Sequence, residues 1–528
     1  MEGCGFWENL FTFGGKEAYN KKYIWIQKSP RMESAGDCEK IRMKRLFKRI
    51  TALASAAALT LSLAACGGSA VSGPKNPAPT NAKPVSITVW TYYNGDQLET
   101  FSKLVEEFNA TVGKEQNITV EASSQGSVND LETNVLAAAE GKVGAAEMPN
   151  IFSAYADTCY AVDQMGLVAD LSGYLTDEEK AAFPESYLTE GDFDDNGTIK
   201  IFPVAKSTEL LFLNDTDWQA FAAATGATYE DLSTMEGLVA TAGKYYDWTD
   251  ARTEVPDDGK ALFGRDAMAN YMLIGAKELG STIFTVENGK MTVNLTEDAA
   301  RKLWENYYVP FVKGWFAGEG RFRSDDIKTG NVLAYVGSNS SATFFPKQVQ
   351  VSDTESHDIS LKVLPNPSFA GSEEVAVQQG AGMVVTKSTP EEEAACVTFL
   401  KWFTQPENNI QFAVGSGYLP VTHAADDMTA IENSGLDLSD SMKDVLANAI
   451  DAVENHELYT PKPFEGGTDA RKVLEYSMSD LASADRAAVE EQIAAGVSAA
   501  EAEALYLTDE YFENWYQSLC TELSAYEG

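Results

Sequence analysis

Six short segments gather the residue types that grip a small polar molecule. Trp90-Thr91-Tyr92-Tyr93-Asn94-Gly95-Asp96 sets aromatic faces beside an amide and a carboxylate. The same mixture of aromatic, amide, hydroxyl and acidic groups returns at Tyr155-Ala156-Asp157, Lys206-Ser207-Thr208-Glu209, Gly337-Ser338-Asn339-Ser340-Ser341, Gln378-Gln379-Gly380 and Gly415-Ser416-Gly417-Tyr418. A neutral polyol offers C–H patches to flat apolar faces and hydroxyls to amide, hydroxyl or carboxylate partners, and these segments supply both. The candidate contacts are Tyr92, Tyr93, Asn94, Asp96, Tyr155, Asp157, Thr208, Glu209, Ser338, Asn339, Ser340, Gln379 and Gly380, completed by Trp315 and Tyr418. Singly, each segment is an ordinary loop. Trp315 reads equally well as core packing, and Tyr418 as part of a glycine turn.

Covalent chemistry has little to work with. There is no HExxH, GxSxG or Walker loop, and Gly380-Ala381-Gly382 lacks the third glycine of a dinucleotide fingerprint. His357, His423 and His456 are the only histidines and lie far apart. No catalytic residue, metal or cofactor is therefore expected. A pair of glycosidase carboxylates is defined by separation in space, so spacing alone cannot reveal one among so many acids. Asp192-Phe193-Asp194-Asp195-Asn196-Gly197 opens like a calcium loop, but Pro203 stands where the bidentate glutamate belongs. A hairpin is expected instead, with Asn196-Gly197 as the turn and residues 198–202 as the following strand.

These segments need elements to hold them. Residues 85–90 alternate apolar and polar like a strand, and Leu98, Phe101, Leu104, Val105 and Phe108 then fall on one helical face. Strand-then-helix units recur near 118–140, 150–166 and 199–224, with further strands near 332–336, 359–363 and 383–386. Thr389-Pro390-Glu391-Glu392 opens a helix with proline at its first position. Interleaving of this kind predicts an α/β fold, whose ligands sit beyond the carboxyl ends of the strands. From Pro390 the pattern is mainly helical, and Tyr511, Phe512, Trp515 and Tyr516 near the end read as packing residues.

The chain has 528 residues, 40 basic against 79 acidic, with 44% hydrophobic side chains, enough to bury a large core. A net charge of -39 argues against nucleic-acid binding, which needs clustered cations. The first 65 residues hold 11 basic and 6 acidic side chains, leaving 29 against 73 from Cys66 onward. The positive charge sits in a signal. From Met43 come Lys44, Arg45, Lys48 and Arg49, then an uncharged apolar run over 50–65 ending in Leu63-Ala64-Ala65-Cys66. This ending resembles the lipobox of bacterial lipoproteins, which implies lipidation of Cys66. A membrane-spanning anchor is the alternative for the run. Residues 1–42 read as a non-native extension, 43–65 as signal and 66–83 as a flexible Gly, Ser and Pro tether. Cys159, Cys396 and Cys520 follow with no CxxC, so buried free thiols are expected, with pairing left open.

In this order the segments resemble an extracellular solute-binding protein of bacterial ABC importers, the family-1 group that includes the maltose-binding protein. The resemblance covers residues 84–480. It is carried by 148–152 with 164–171, by 201–205 leading to Leu213-Asn214, and by Phe399-Leu400-Lys401-Trp402-Phe403-Thr404-Gln405-Pro406-Glu407 with Gly417-Tyr418-Leu419-Pro420-Val421. It implies a two-lobed periplasmic-binding-protein-like fold of type II, its discontinuous lobes joined by three crossings, placed near 204–207, 334–338 and 379–382. Lobe 1 is then 84–203 plus 338–380, and lobe 2 is 204–337 plus 381–528. The implied role is non-enzymatic capture of a small neutral carbohydrate in the cleft by a lipid-anchored monomer on the outer membrane face, followed by delivery to a permease. A glycerophosphate, favoured locally by Lys206, Arg321 or Arg323, is the alternative ligand. A secreted glycoside hydrolase or a surface glycan-binding lipoprotein is the alternative role. The tail from Ala482 extends past the recognisable region and is expected to pack on the second lobe.

Overall fold

The computed structural model describes residues 83–528 apart from Asn288 and Asp353. The expected signal, Cys66 and almost all of the tether lie outside the described residues.

In chain order the strands are β1 (Val85–Thr91), β2 (Ile118–Ser124), β3 (Ile151–Ala154), β4 (Glu209–Asn214) and β5 (Phe263–Arg265). A small pair, β6 (Phe284–Glu287) and β7 (Lys290–Val293), precedes β8 (Ala334–Ser338). A second pair, β9 (Gln348–Ser352) and β10 (Glu355–Asp358), precedes β11 (Leu361–Pro365), β12 (Val375–Val377), β13 (Gly382–Val385) and β14 (Glu457–Tyr459). Two four-stranded sheets organise the molecule, in the orders β13-β3-β1-β2 and β11-β4-β8-β5. In the first, β1 runs parallel to β2 and β3, and β13 is antiparallel to β3. In the second, β4 is antiparallel to β8 and β11, and β5 is parallel to β8. All six residues of β4 are buried, as befits a strand covered on both faces.

The helix Gly95–Ala110 buries Phe101, Leu104, Val105 and Phe108, the stripe its periodicity predicts. Against that stripe stand two later helices, Pro390–Phe403 and Pro406–Ser416. Phe101 lies 5.6 Å from Phe403 and 6.2 Å from Phe412, and Phe108 lies 5.3 Å from Trp402, measured between ring centroids. The helix Pro390–Phe403 starts on a capping box of Thr389 and Glu392 with proline in its first turn, as expected.

The tail belongs to the second sheet's core. Helix Asp509–Ser524 buries Phe512, Trp515, Leu519 and Leu523. Trp304 stacks on Tyr308 with centroids 3.5 Å apart and meets Trp515 at 4.9 Å. Tyr308 and Tyr511 both donate to the Asp485 carboxylate, at 2.5 and 2.8 Å.

Two expectations need correction. First, β8 is no crossing: it is paired on both sides inside the second sheet, and the chain stays with that sheet until β11 pairs with β4. Residues 361–365 therefore stand in the second sheet and β13 in the first, the reverse of the expected partition at 338–380 and 381–528. Near 204–207 the chain is stitched by bridges from Lys206 to Leu419 and from Ser207 to Gln379, and near 379–382 it returns into β13. A further passage follows residue 416, since helix Asp440–Asn455 packs on β11. Second, residues 198–202 form no hairpin strand. The Asp192 carboxylate instead accepts the N–H groups of Asn196 (2.9 Å), Gly197 (2.8 Å) and Thr198 (3.4 Å), closing the loop on itself. The cysteines are free, as expected: Cys159 and Cys396 are buried, and Cys520 is half-buried.

Candidate functional site

Beyond the carboxyl ends of β1, β3, β5 and β8 a cleft of about 1670 Å³ opens. β4 runs antiparallel to β8, so its first residue, Glu209, reaches the same edge as Ser338. Of the expected contacts, Tyr92, Asn94, Tyr155, Glu209, Ser338, Ser340, Gln379 and Tyr418 line this cleft. The Tyr92 and Tyr418 hydroxyls lie 3.0 Å apart. Burial, first of all, raises the phenols of Tyr92, Tyr155 and Tyr418, so they stay neutral hydroxyls able to donate and accept. The Asn94 amide donates to the carbonyls of Tyr92 (2.7 Å) and Gly126 (2.8 Å), fixing the loop that follows β1.

The cleft floor is a connected polar network. Glu209 and Arg265, each 2% exposed by side chain, form an ion pair. Asn270 donates to Glu209 at 2.7 Å and to the Gln379 side-chain oxygen at 3.0 Å, and accepts from Arg471. Asp266 accepts the Arg323 N–H at 2.8 Å, and burial pushes its carboxyl up to about 6. Asp157 lies in a side chamber that shares Tyr155 and Gln379 with the cleft.

The other expected contacts do not line the cleft. Tyr93 is fully buried, its ring 5.2 Å from both Phe101 and Phe412. Asp96 is exposed in the first turn of the helix Gly95–Ala110. Trp315 packs on the second core, against Gly243. Thr208 and Asn339 are buried and bonded to each other, the Asn339 side chain accepting the Thr208 N–H at 2.8 Å. Gly380 shapes the crossing: its φ is +94°, and a Cβ there would sit 2.7 Å from the Ala205 carbonyl oxygen. Gly380→Ala is expected to cost about 1–3 kcal/mol, read as a lowered urea midpoint; an unchanged midpoint would mean that the crossing relaxes freely.

Several cleft residues escaped the sequence reading, among them Gln97, Asp266, Phe322, Phe344 and Tyr476. Arg321 and Arg323 stood out as cations, yet the ring between them did not, because an exposed phenylalanine and a core one look alike in a sequence. Among the described residues no group of three or more His, Cys, Asp or Glu is arranged to hold a metal ion, and no helix is long and apolar enough to cross a membrane.

Solved structures share this architecture. The cyclic α-maltosyl-1,6-maltose binding protein of Arthrobacter globiformis superposes with a TM-score of 0.60 at 17% identity, over 84% of this chain and 100% of that one. UgpB of Mycobacterium tuberculosis, in complex with glycerophosphocholine, gives 0.59 at 18% identity over 84% and 99%. The maltotriose binding protein of Thermus thermophilus gives 0.56 at 15% over 83% and 99%. The fold is thus the two-lobed α/β fold of periplasmic binding proteins, with the cleft between the lobes. No curated protein matches the chain in sequence. The profile of the bacterial extracellular solute-binding proteins matches residues 103–436, well over half of the sequence, and the chain belongs to that family.

Proposed function

We propose that the protein captures a carbohydrate in the interlobe cleft and passes it unaltered to an ABC permease, held at the outer membrane face by a lipid on Cys66. The observation that carries the ligand class is a set of half-exposed rings in the cleft wall: Phe322 is 53% exposed, Phe344 52% and Tyr476 51%. Flat apolar faces left open to water gain by being covered with sugar C–H groups, while Asn94, Gln97, Ser338, Ser340 and Gln379 are placed for the hydroxyls. Two of the similar structures are named for maltosyl-maltose and maltotriose binding, which supports the reading. A ligand that touches both lobes favours the closed form by its difference in affinity for the two forms.

Hydrolysis is disfavoured by the floor. Both Glu209 oxygens are engaged, one by Arg265 and one by Asn270, so this carboxylate has no free oxygen to act as a nucleophile. A phosphate ester is the second reading, favoured by Arg321, Lys328 and Lys347 in the lining and by the UgpB likeness. Asp130, Asp325 and Asp358 line the same cleft and offset those cations.

A thermal-shift panel of mono- and oligosaccharides and glycerophosphocholine tests the proposal, since a ligand at a hundredfold excess over Kd adds about 2.7 kcal/mol. Stabilisation by sugars without turnover of chromogenic glycosides is expected; a shift with glycerophosphocholine alone would replace the ligand class. Phe322→Ala and Phe344→Ala should each weaken sugar binding by about 1–2 kcal/mol, roughly five- to thirtyfold, with the melting temperature of the free protein unchanged.

A further inference from the structure

Beside the cleft lies a second chamber of about 400 Å³, within the usual range of roughly 300–1,000 Å³ for small-ligand sites. It shares Tyr155, Gln379 and Tyr476 with the cleft, so a ligand seated there can extend into it. Its walls come from both lobes: Glu132 and Asp157 from the first, Asn270, Arg471 and Glu475 from the second, with Phe284, Tyr459 and Phe464 as apolar surface.

Most of these polar groups are held in place. Arg471 is anchored on Asn270, which in turn holds Glu209 and Gln379. Glu475 accepts the Ala269 N–H at 2.8 Å, and Glu132 accepts from the Thr158 hydroxyl at 3.0 Å. The Asp157 carboxylate is different: it lies in the same chamber with no hydrogen bond or ion pair to any described residue. Room is kept for it, because a side chain on Gly467 would begin 2.6 Å from its Oδ1.

We propose that this chamber is a subsite for the terminal ring of an oligosaccharide that runs on from the cleft, the ring's hydroxyls donating to Asp157 and accepting from Arg471. The assignment rests on the carbohydrate reading and adds ligand length and end-group recognition to it. The amides, guanidinium, carboxylates and rings here are the partners a pyranose edge and face require.

A pH dependence follows. Burial pushes Asp157 up to about 6; Arg471 lowers it and Glu132 raises it by smaller amounts. The other charged groups around the chamber are Lys472, Glu475 and Glu190, the last paired with Lys206. A hydroxyl donated to Asp157 favours the ionised form, so binding the terminal ring expels a proton. Its contribution is then full above pH 6 and fades as the pH falls below it.

The test is calorimetric titration of the full chain with α-1,4- and β-1,4-linked glucose oligomers of two to five rings at pH 7.5 and pH 5. Wild type should show one added ring that tightens binding about tenfold at pH 7.5 and much less at pH 5. Asp157→Asn should lose that increment and its pH dependence. Thr468→Trp, which fills the chamber from its lining, should lose the increment as well. Wild-type length and pH profiles in Asp157→Asn, or affinities independent of length in wild type, would overturn the subsite and leave the cleft reading standing. Absence of binding by every oligomer would overturn the carbohydrate reading and the subsite with it.

Discussion

Glu209→Ala lowers stability by about 3–5 kcal/mol, the expected cost of leaving a buried cation without its partner. Arg265 is 2% exposed and cannot turn to water, and the Asn270 amide loses the acceptor that it holds at 2.7 Å. The measurement is the urea midpoint, with Glu209→Gln as the milder comparison, since it keeps an acceptor for Asn270. Replacing both partners, as in Glu209→Leu with Arg265→Met, should recover much of the loss, because an apolar pair carries no desolvation cost. Sugar affinity should fall in the single variant even where it folds, for Asn270 also aligns Gln379 and Arg471. A loss under 1 kcal/mol would mean that water reaches this network.

Trp515→Ala is expected to cost about 3–5 kcal/mol, and removal of residues 499–528 to prevent the second lobe from folding. Trp515 is 5% exposed and packs on Trp304 and Phe512, and its ring N–H has no partner, so the whole loss is packing. Limited proteolysis of the truncated chain should degrade the second lobe and spare segments around β1, β2 and β3, whose core holds no tail residue. A truncated protein that resists protease and binds sugar as before would show the tail to be dispensable.

Local sequence carried the elements and a good part of the cleft. The stripe on Gly95–Ala110 and the box at Thr389 are short-range features, legible because their partners lie three or four residues away. Tyr92, Tyr155, Ser338 and Tyr418 reached the cleft because each follows or ends a strand, or sits in a glycine turn. Their neighbours Tyr93 and Asn339 went inward instead: consecutive residues at a strand end point apart, and composition does not say which faces the opening. The exchange of places between β11 and β13 shows the limit more plainly. Both are short apolar strands, and nothing within either names the sheet it joins.

From its order of residues alone this chain was bound to form alternating strands and helices, to place a basic segment ahead of an acidic body, and to bring polar and aromatic groups to strand ends. Tertiary structure alone decided that Phe322, Phe344 and Tyr476 stay half open in the cleft and that Asn270 ties Glu209 to Gln379 and Arg471. It also decided that the tail closes the second core. The physical reason is range: helix caps and apolar periods act over a few residues, whereas burial and ion pairing are set by residues that meet only after the chain has folded.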